Sequence, residues 1–380
     1  MSRDGPRAPA CAAALLGLPG MTPVRLARLL DGLGPPVAWA AVRAGTHPGD
    51  PDRRFTDASQ SVEPDEVARR YSGAGVAVLL PGSSGYPAAL VGDPGAPAVL
   101  CASGDPTVLE ARPAVAVVGT RSATPYGARV ASDLGRCLAG AGVVVVSGLA
   151  RGIDAAAHSG ALAAGPGAAP PVAVVGTGLD VPYPKENGAL WRRVAGSGAV
   201  LSEAALGTVA RPRAFPARNR IIAALSDVVV VVESHRGGGS LYTAEAAARR
   251  SIPVCAVPGS VYSRASVGTN ELLVDGCAPV RDVDDVLAAV ALARQGRGMT
   301  GPTPTVSTSR PPGRVAGAPA DAGPSDRVQR SVWEAVDDVP TSVETVLLRT
   351  DLSLAALTAA GEELVERGLL TAGAGWWSRV

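Results

Sequence analysis

Apolar runs with no polar alternation recur through the middle of this chain, and each ends in a glycine-bearing turn. Val115-Ala-Val-Val118 leads into Gly119-Thr120-Arg121, and Val143-Val-Val-Val146 into Ser147-Gly148-Leu-Ala-Arg151-Gly152. Val172-Ala-Val-Val175 leads into Gly176-Thr-Gly178, and the run between Asp227 and Glu233 into Ser234-His-Arg-Gly237-Gly-Gly239-Ser240. Continuous Val/Ala runs predict strands buried on both faces, as in a parallel sheet covered by helices. Strand-like and helix-like segments alternate from Val115 to about Val290, the order expected of a doubly wound α/β domain. Val76–Leu80 and Ala98–Cys101 predict two further strands ahead of it.

The flanks read differently. Cys11 to about Tyr71 predicts short helices, with Leu26, Leu29, Leu30 and Leu33 at helical spacing after the turn Leu18-Pro-Gly20-Met21-Thr22-Pro23. That turn is similar to one of a SAM or helix-hairpin-helix domain, but Thr22 stands where a second, phosphate-facing glycine is expected, so packing is its expected role. Residues 295–325, rich in Pro, Gly, Ser and Thr and without hydrophobic periodicity, predict a linker. The remainder predicts three helices and a hairpin, the outline of a winged helix. The expected order is a helical domain over 1–72, an extended Rossmann-like domain over 73–294, the linker, and a winged-helix-like domain over 326–380.

Composition narrows the function classes. With 380 residues and 47% hydrophobic content the chain builds a substantial core, and a net charge of +1 requires any basic surface to be local. The five cysteines are scattered without a C-x-x-C pair, which fits buried apolar positions in a reducing compartment rather than disulfides or metal ligands. No apolar run reaches the roughly 20 residues that span a bilayer, and the start lacks a signal peptide, so a cytoplasmic protein without membrane contact is expected. From Arg327 onward, five arginines face eight acids, a net of −3. An acidic winged helix is poorly placed to neutralise phosphates, and a protein-interaction role is expected for it.

The candidate chemistry lies in the loops. Glycine at a strand exit lets backbone N–H groups approach a ligand, and a helix N-terminus behind it favours anions. Arg121 and Arg151 sit within such turns, which points to a polymeric phosphate. Arg211, Arg213, Arg218 and Arg220 follow without an intervening acid. Arg218 and Arg220, two apart, cannot share a helix face, so one is expected at the ligand and the other on a structural carboxylate. Phe215 has two readings, stacking on a base or fixing the loop as a core aromatic. Asn219 is expected to cap the helix beginning at Ile221. Lys185 is the only lysine among 35 basic residues. Ser147 and Ser240 lack a His/Asp relay and read as phosphate donors rather than nucleophiles. Asp154 and His158, four apart, read as a helix cap that orients Arg151 and a packed ring, and Glu203 as a buttress for an arginine. The Gly119 turn is not a G-x-G-x-x-G run, which argues against a dinucleotide oxidoreductase.

In linear order, Val117-Val-Gly-Thr-Arg-Ser-Ala-Thr-Pro-Tyr-Gly127, Ser147-Gly-Leu-Ala-Arg-Gly-Ile-Asp154, Gly176-Thr-Gly-Leu-Asp-Val-Pro-Tyr-Pro-Lys-Glu-Asn187, Phe215-Pro-Ala-Arg-Asn-Arg-Ile-Ile222 and Ala256-Val-Pro-Gly259 resemble the successive signatures of the DprA/Smf DNA-processing family. The match runs from about Gly85 to Val290; Gly238 replaces a usual serine and Pro182 precedes Tyr183. The resemblance implies a single-stranded DNA-binding homodimer that helps load a RecA-type recombinase in natural transformation, with no catalysis, cofactor or metal. The resemblance matches Thr120, Arg121 and Lys185 to the family's phosphate-binding positions, and with the reading of the loops the expected nucleic-acid contacts are Gly119, Thr120, Arg121, Ser147, Gly148, Arg151, Gly152, Lys185, Asn187, Phe215, Arg218, Asn219, Gly239 and Ser240. A second resemblance, of Gly237–Glu245 to the turn of nucleoside-monophosphate phosphoribohydrolases, implies an alternative in which Glu245 is catalytic.

Overall fold

The β-branched runs become strands because valine fits a pleated, buried surface better than a helix. A computed structural model describes residues 7–110, 113–212, 214–298, 326–336, 341–350, 352–367, 369–373 and 376–379. In it the chain forms two units, Met1–Gly298 and Met299–Val380.

The first unit is organised on one sheet of β1 (Ala77–Leu79), β2 (Leu100–Gly104), β3 (Ala114–Val118), β4 (Val144–Ser147), β5 (Val172–Val175), β6 (Ala199–Ser202), β7 (Val228–Val231), β8 (Val254–Ala256) and β9 (Ala278–Pro279). Their order is β1-β2-β6-β5-β4-β3-β7-β8-β9. Every pairing from β6 across to β9 is parallel, whereas β2 runs antiparallel to both β1 and β6. The fold is the expected α/β, doubly wound and Rossmann-like, with β2 two residues downstream of its predicted start.

Both faces of the central strands are buried, in period two. Ala114, Ala116 and Val118 of β3 join Ile221, Ile222, Ala244 and Ala247 on one face. Val115 and Val117 join Leu134, Leu138, Ile153 and Val286 on the other. The N-terminal helices share a cluster with the sheet: Leu15, Leu29 and Trp39 pack with Cys101, Ala173, Val175 and Val200. The turn at Gly20 adopts φ +74°, and the Thr22 hydroxyl caps the next helix by accepting the Arg25 N–H at 3.3 Å. Residues 295–298, expected to open the linker, close the helix Val283–Gly298; the rest of that segment lies outside the described residues.

The second unit has helices Arg327–Ala335, Val343–Arg349 and Leu354–Glu366, with β10 (Thr341–Ser342), β11 (Leu370–Gly373) and β12 (Trp376–Arg379) ordered β10-β12-β11. Val332, Val346, Leu357, Leu364 and Trp377 form its core. Three helices and a hairpin in this order make a winged helix.

Candidate nucleic-acid interface

The loops leaving the carboxyl ends of β3, β4 and β5 meet at one edge of the sheet. After β3, the backbone turns at Gly119, where a side chain would strike Ile153 and the Glu233 carbonyl. The Thr120 N–H donates to that carbonyl at 2.8 Å, and Arg121 projects outward. After β4, Leu149 is held at φ +53° and Gly152 at φ +73°. A side chain at 152 would run into the carbonyls of Thr120 and Arg121, so this turn needs glycine for both conformation and space. The Ile153 N–H donates to the Thr120 carbonyl at 3.2 Å, tying the second loop to the first.

After β5, Asn187 ties the third loop to the second: its amide donates to the carbonyls of Leu149 at 2.9 Å and Ala150 at 3.2 Å. Lys185 is exposed beside Pro184. Phe215, at the start of helix Ala214–Ala224, brings the aromatic element. The Arg121 guanidinium carbon lies 4.6 Å from its ring centroid, and the Tyr183 ring packs against it at 5.4 Å. Arg121, Gly148, Ala150, Arg151, Tyr183, Pro184 and Phe215 line one open recess. Arg151, 64% exposed, lies 3.6 Å from the Glu186 carboxylate.

A charged layer underlies this edge. Arg218 is 4% exposed and donates to the Val174 carbonyl at the end of β5, while its Nε has no partner. Its guanidinium occupies the space where Gly148 would carry a side chain. Burial lowers its pKa to about 10, with neighbouring Asp154 acting the other way, so it stays cationic at neutral pH. Burial pushes the Asp154 carboxyl up, against the opposing pull of Arg218. His158 is fully buried, and the Ser147 backbone approaches its ring without meeting hydrogen-bond geometry. Burial brings this imidazole down to about 3 and keeps it neutral.

The expected contacts therefore divide. Arg121, Gly148, Arg151 and Phe215 line the recess, Gly119, Thr120 and Gly152 form its supporting turns, and Lys185 stands next to Pro184. Several expectations need correction. Arg218 faces the interior, because its helix face packs on β5, and it is Arg220 that reaches the carboxylate, pairing with Glu203 at 2.6 Å and 2.7 Å. Ser147 also turns inward, its hydroxyl donating to the Val117 carbonyl at 2.7 Å. Asp154 lies with Arg218 rather than orienting Arg151, whose ion partner is Glu186. Asn219, on helix Ala214–Ala224, donates to the Gly239 carbonyl at 3.0 Å instead of capping a helix, and Ser240 bonds Ser234 at 2.9 Å; Gly239 and Ser240 belong to the loop after β7. Arg213 lies outside the described residues. Sequence reasoning missed Glu186 and gave no role to Glu233, although an acid closing a run of valines at the ligand edge of a sheet is itself a signal.

Comparison with known proteins agrees with this architecture. The profile of the DNA recombination-mediator protein A family matches residues 77–291. This chain belongs to that family. Protein Smf of Synechocystis is 33% identical over 77% of the chain and 77% of its own length. The DNA processing protein DprA relative from Mycobacterium tuberculosis is 43% identical over 51% of the chain and about half, 49%, of its own length. The crystal structure of Streptococcus pneumoniae DprA superposes with a TM-score of 0.62 at 33% identity, covering 73% of this chain and 95% of that one. Helicobacter pylori DprA, solved in a study of its single-stranded DNA binding mode, superposes at 0.51 with 30% identity over 57% of this chain and 96% of its own. No described helix is long and apolar enough to cross a membrane.

Proposed function

We propose that this DNA-processing protein binds single-stranded DNA across the loops after β3, β4 and β5, and acts as a homodimeric mediator that loads a RecA-type recombinase rather than as an enzyme. The observation that supports the reading is that Arg121 and Arg151, on two successive loops, line one recess with Phe215 and Tyr183, with Lys185 exposed on the third loop next to the lining Pro184. Cations on neighbouring loops engage a sugar-phosphate backbone, and an aromatic wall accepts any base face, so affinity comes from counterion release with little sequence readout. Arg218 acts from beneath as a fixed positive charge and not as a contact. The single-stranded DNA binding of the Helicobacter pylori relative supports the reading. The phosphoribohydrolase alternative is less well supported, because Glu245 is solvent-accessible and paired with Arg249 at 2.5 Å. The acidic second unit is proposed to contact protein.

The test is a titration of labelled oligonucleotides, single- and double-stranded, across a salt series, with nucleoside monophosphates assayed in parallel for release of free base. Preference for the single strand with a steep salt dependence is expected. Equal affinity for duplex, or free base released at a rate that scales with protein, rejects the proposal.

A further inference from the structure

In doubly wound sheets the ligand crevice opens where the strand order reverses, and phosphates settle against the N-terminus of the first helix. Here that point lies between β3 and β7, whose following helices, Pro125–Gly140 and Leu241–Ala248, pack on opposite faces. An acid of the chain itself stands there. Glu233 is 2% exposed; one carboxylate oxygen accepts the Thr124 N–H at 2.9 Å and the other the Thr124 hydroxyl at 2.5 Å. Thr124 is the cap of the sixteen-residue helix, its hydroxyl also accepting the Gly127 N–H at 3.1 Å. A side chain at 127 would fall within the carboxylate, so the first helical turn is shaped around it. The Glu233 carbonyl also accepts the Thr120 N–H, which closes the crevice backbone to backbone.

We infer that Glu233 is an internal anion that sets ligand class: it fills the phosphate position of the switch point and keeps nucleoside diphosphates out of it. The helix end prefers one negative charge, and Glu233 supplies it from a tether. A diffusing nucleotide would have to displace a covalently linked competitor whose effective concentration is about millimolar or higher, and would meet its charge while doing so. The anion-binding capacity of the edge is thereby confined to the outer loops. This inference does not depend on which polymer those loops hold.

The probe is ADP, titrated by calorimetry into chains that also carry Arg121→Ala and Lys185→Ala, which removes two outer cations. With Glu233 present, no saturable binding is expected. Glu233→Ala is expected to create a site at least about tenfold tighter than any residual binding of its parent. Adenosine, lacking the anhydride, is expected to gain nothing. Should Glu233→Ala fail to fold by circular dichroism, Glu233→Gln, which keeps the volume and loses the charge, is expected to gain in the same direction. ADP affinity equal to the parent's in a folded variant, or an equal gain for adenosine, overturns the inference.

Discussion

The guanidinium of Arg218 lies directly beneath the Cα of Gly148, in the volume that any side chain there would need. The cation cannot retreat, because it is buried against the Val174 carbonyl at the end of β5. Gly148→Ala is therefore expected to destabilise the fold by about 2 kcal/mol or more, through overpacking against a buried charge. It should also weaken single-strand binding, since the same turn lines the recess. Urea unfolding of variant and wild type measures the first effect; a midpoint unchanged within error means the loop has room to move.

Arg121 and Phe215 form a second coupled pair, 4.6 Å apart. Arg121→Ala is expected to lower single-strand affinity for every sequence alike and to make the salt slope shallower by about 0.7, one phosphate contact fewer. A double-mutant cycle with Phe215→Ala should show a coupling of about 0.5–1 kcal/mol, the size of an exposed cation–π contact. Strictly additive losses would show that the ring does not position the guanidinium.

Glu186 holds Arg151 in the free protein. A bound strand must replace that carboxylate with a phosphate, so Glu186→Gln is expected to raise single-strand affinity and to steepen the salt dependence. Fluorescence anisotropy at several salt concentrations reads both. Weaker binding by the variant would mean that Glu186 orders Arg151 for its ligand rather than competing with it.

His158 gives the fold a pH dependence whose sign follows from its burial. Its pKa is lowered from 6.5 to about 3, so the unfolded chain takes up a proton below pH 6.5 while the folded chain does not. The contribution is complete above pH 6.5 and is lost as pH falls from there toward 3. Asp154 is shifted the opposite way, toward holding its proton in the fold, so the comparison is made against His158→Leu, which leaves Asp154 in place. The stability difference between wild type and variant should move against wild type by on the order of 2 kcal/mol between pH 6.5 and pH 5, at about 1.4 kcal/mol per unit. A difference that is constant with pH would mean that the ring is protonated in the fold.

The central strands are legible from sequence because β3, β4, β5 and β7 are buried on both faces and tolerate only small or β-branched apolar residues. β6 and β9 are not: β6, Ala199-Val-Leu-Ser202, is buried like them but offers no continuous valine run, and β9 is only two exposed residues. The glycine turns are legible for the same reason that they work, since Gly119, Gly148 and Gly152 have no space for a side chain. The direction of Arg218 is not. Arg218 and Arg220 look equivalent along the chain, and only the packing of helix Ala214–Ala224 on β5 decides that the first points inward and the second toward Glu203. The role of Glu233 is hidden likewise, because its partner Thr124 is over a hundred residues away.

The ties between the loops have a mechanical meaning. Gly152 sits against the carbonyls of Thr120 and Arg121, and Asn187 grips those of Leu149 and Ala150. Shifting any one loop therefore drags its neighbours, and the backbones carrying Arg121, Arg151 and Lys185 keep a fixed spacing like teeth on one comb. A flexible strand can adjust its phosphates to such a row, whereas a duplex with its own rigid pitch must match the row as it stands. The discrimination between the two polymers would then reside in the stiffness of the protein rather than in any group that recognises a base.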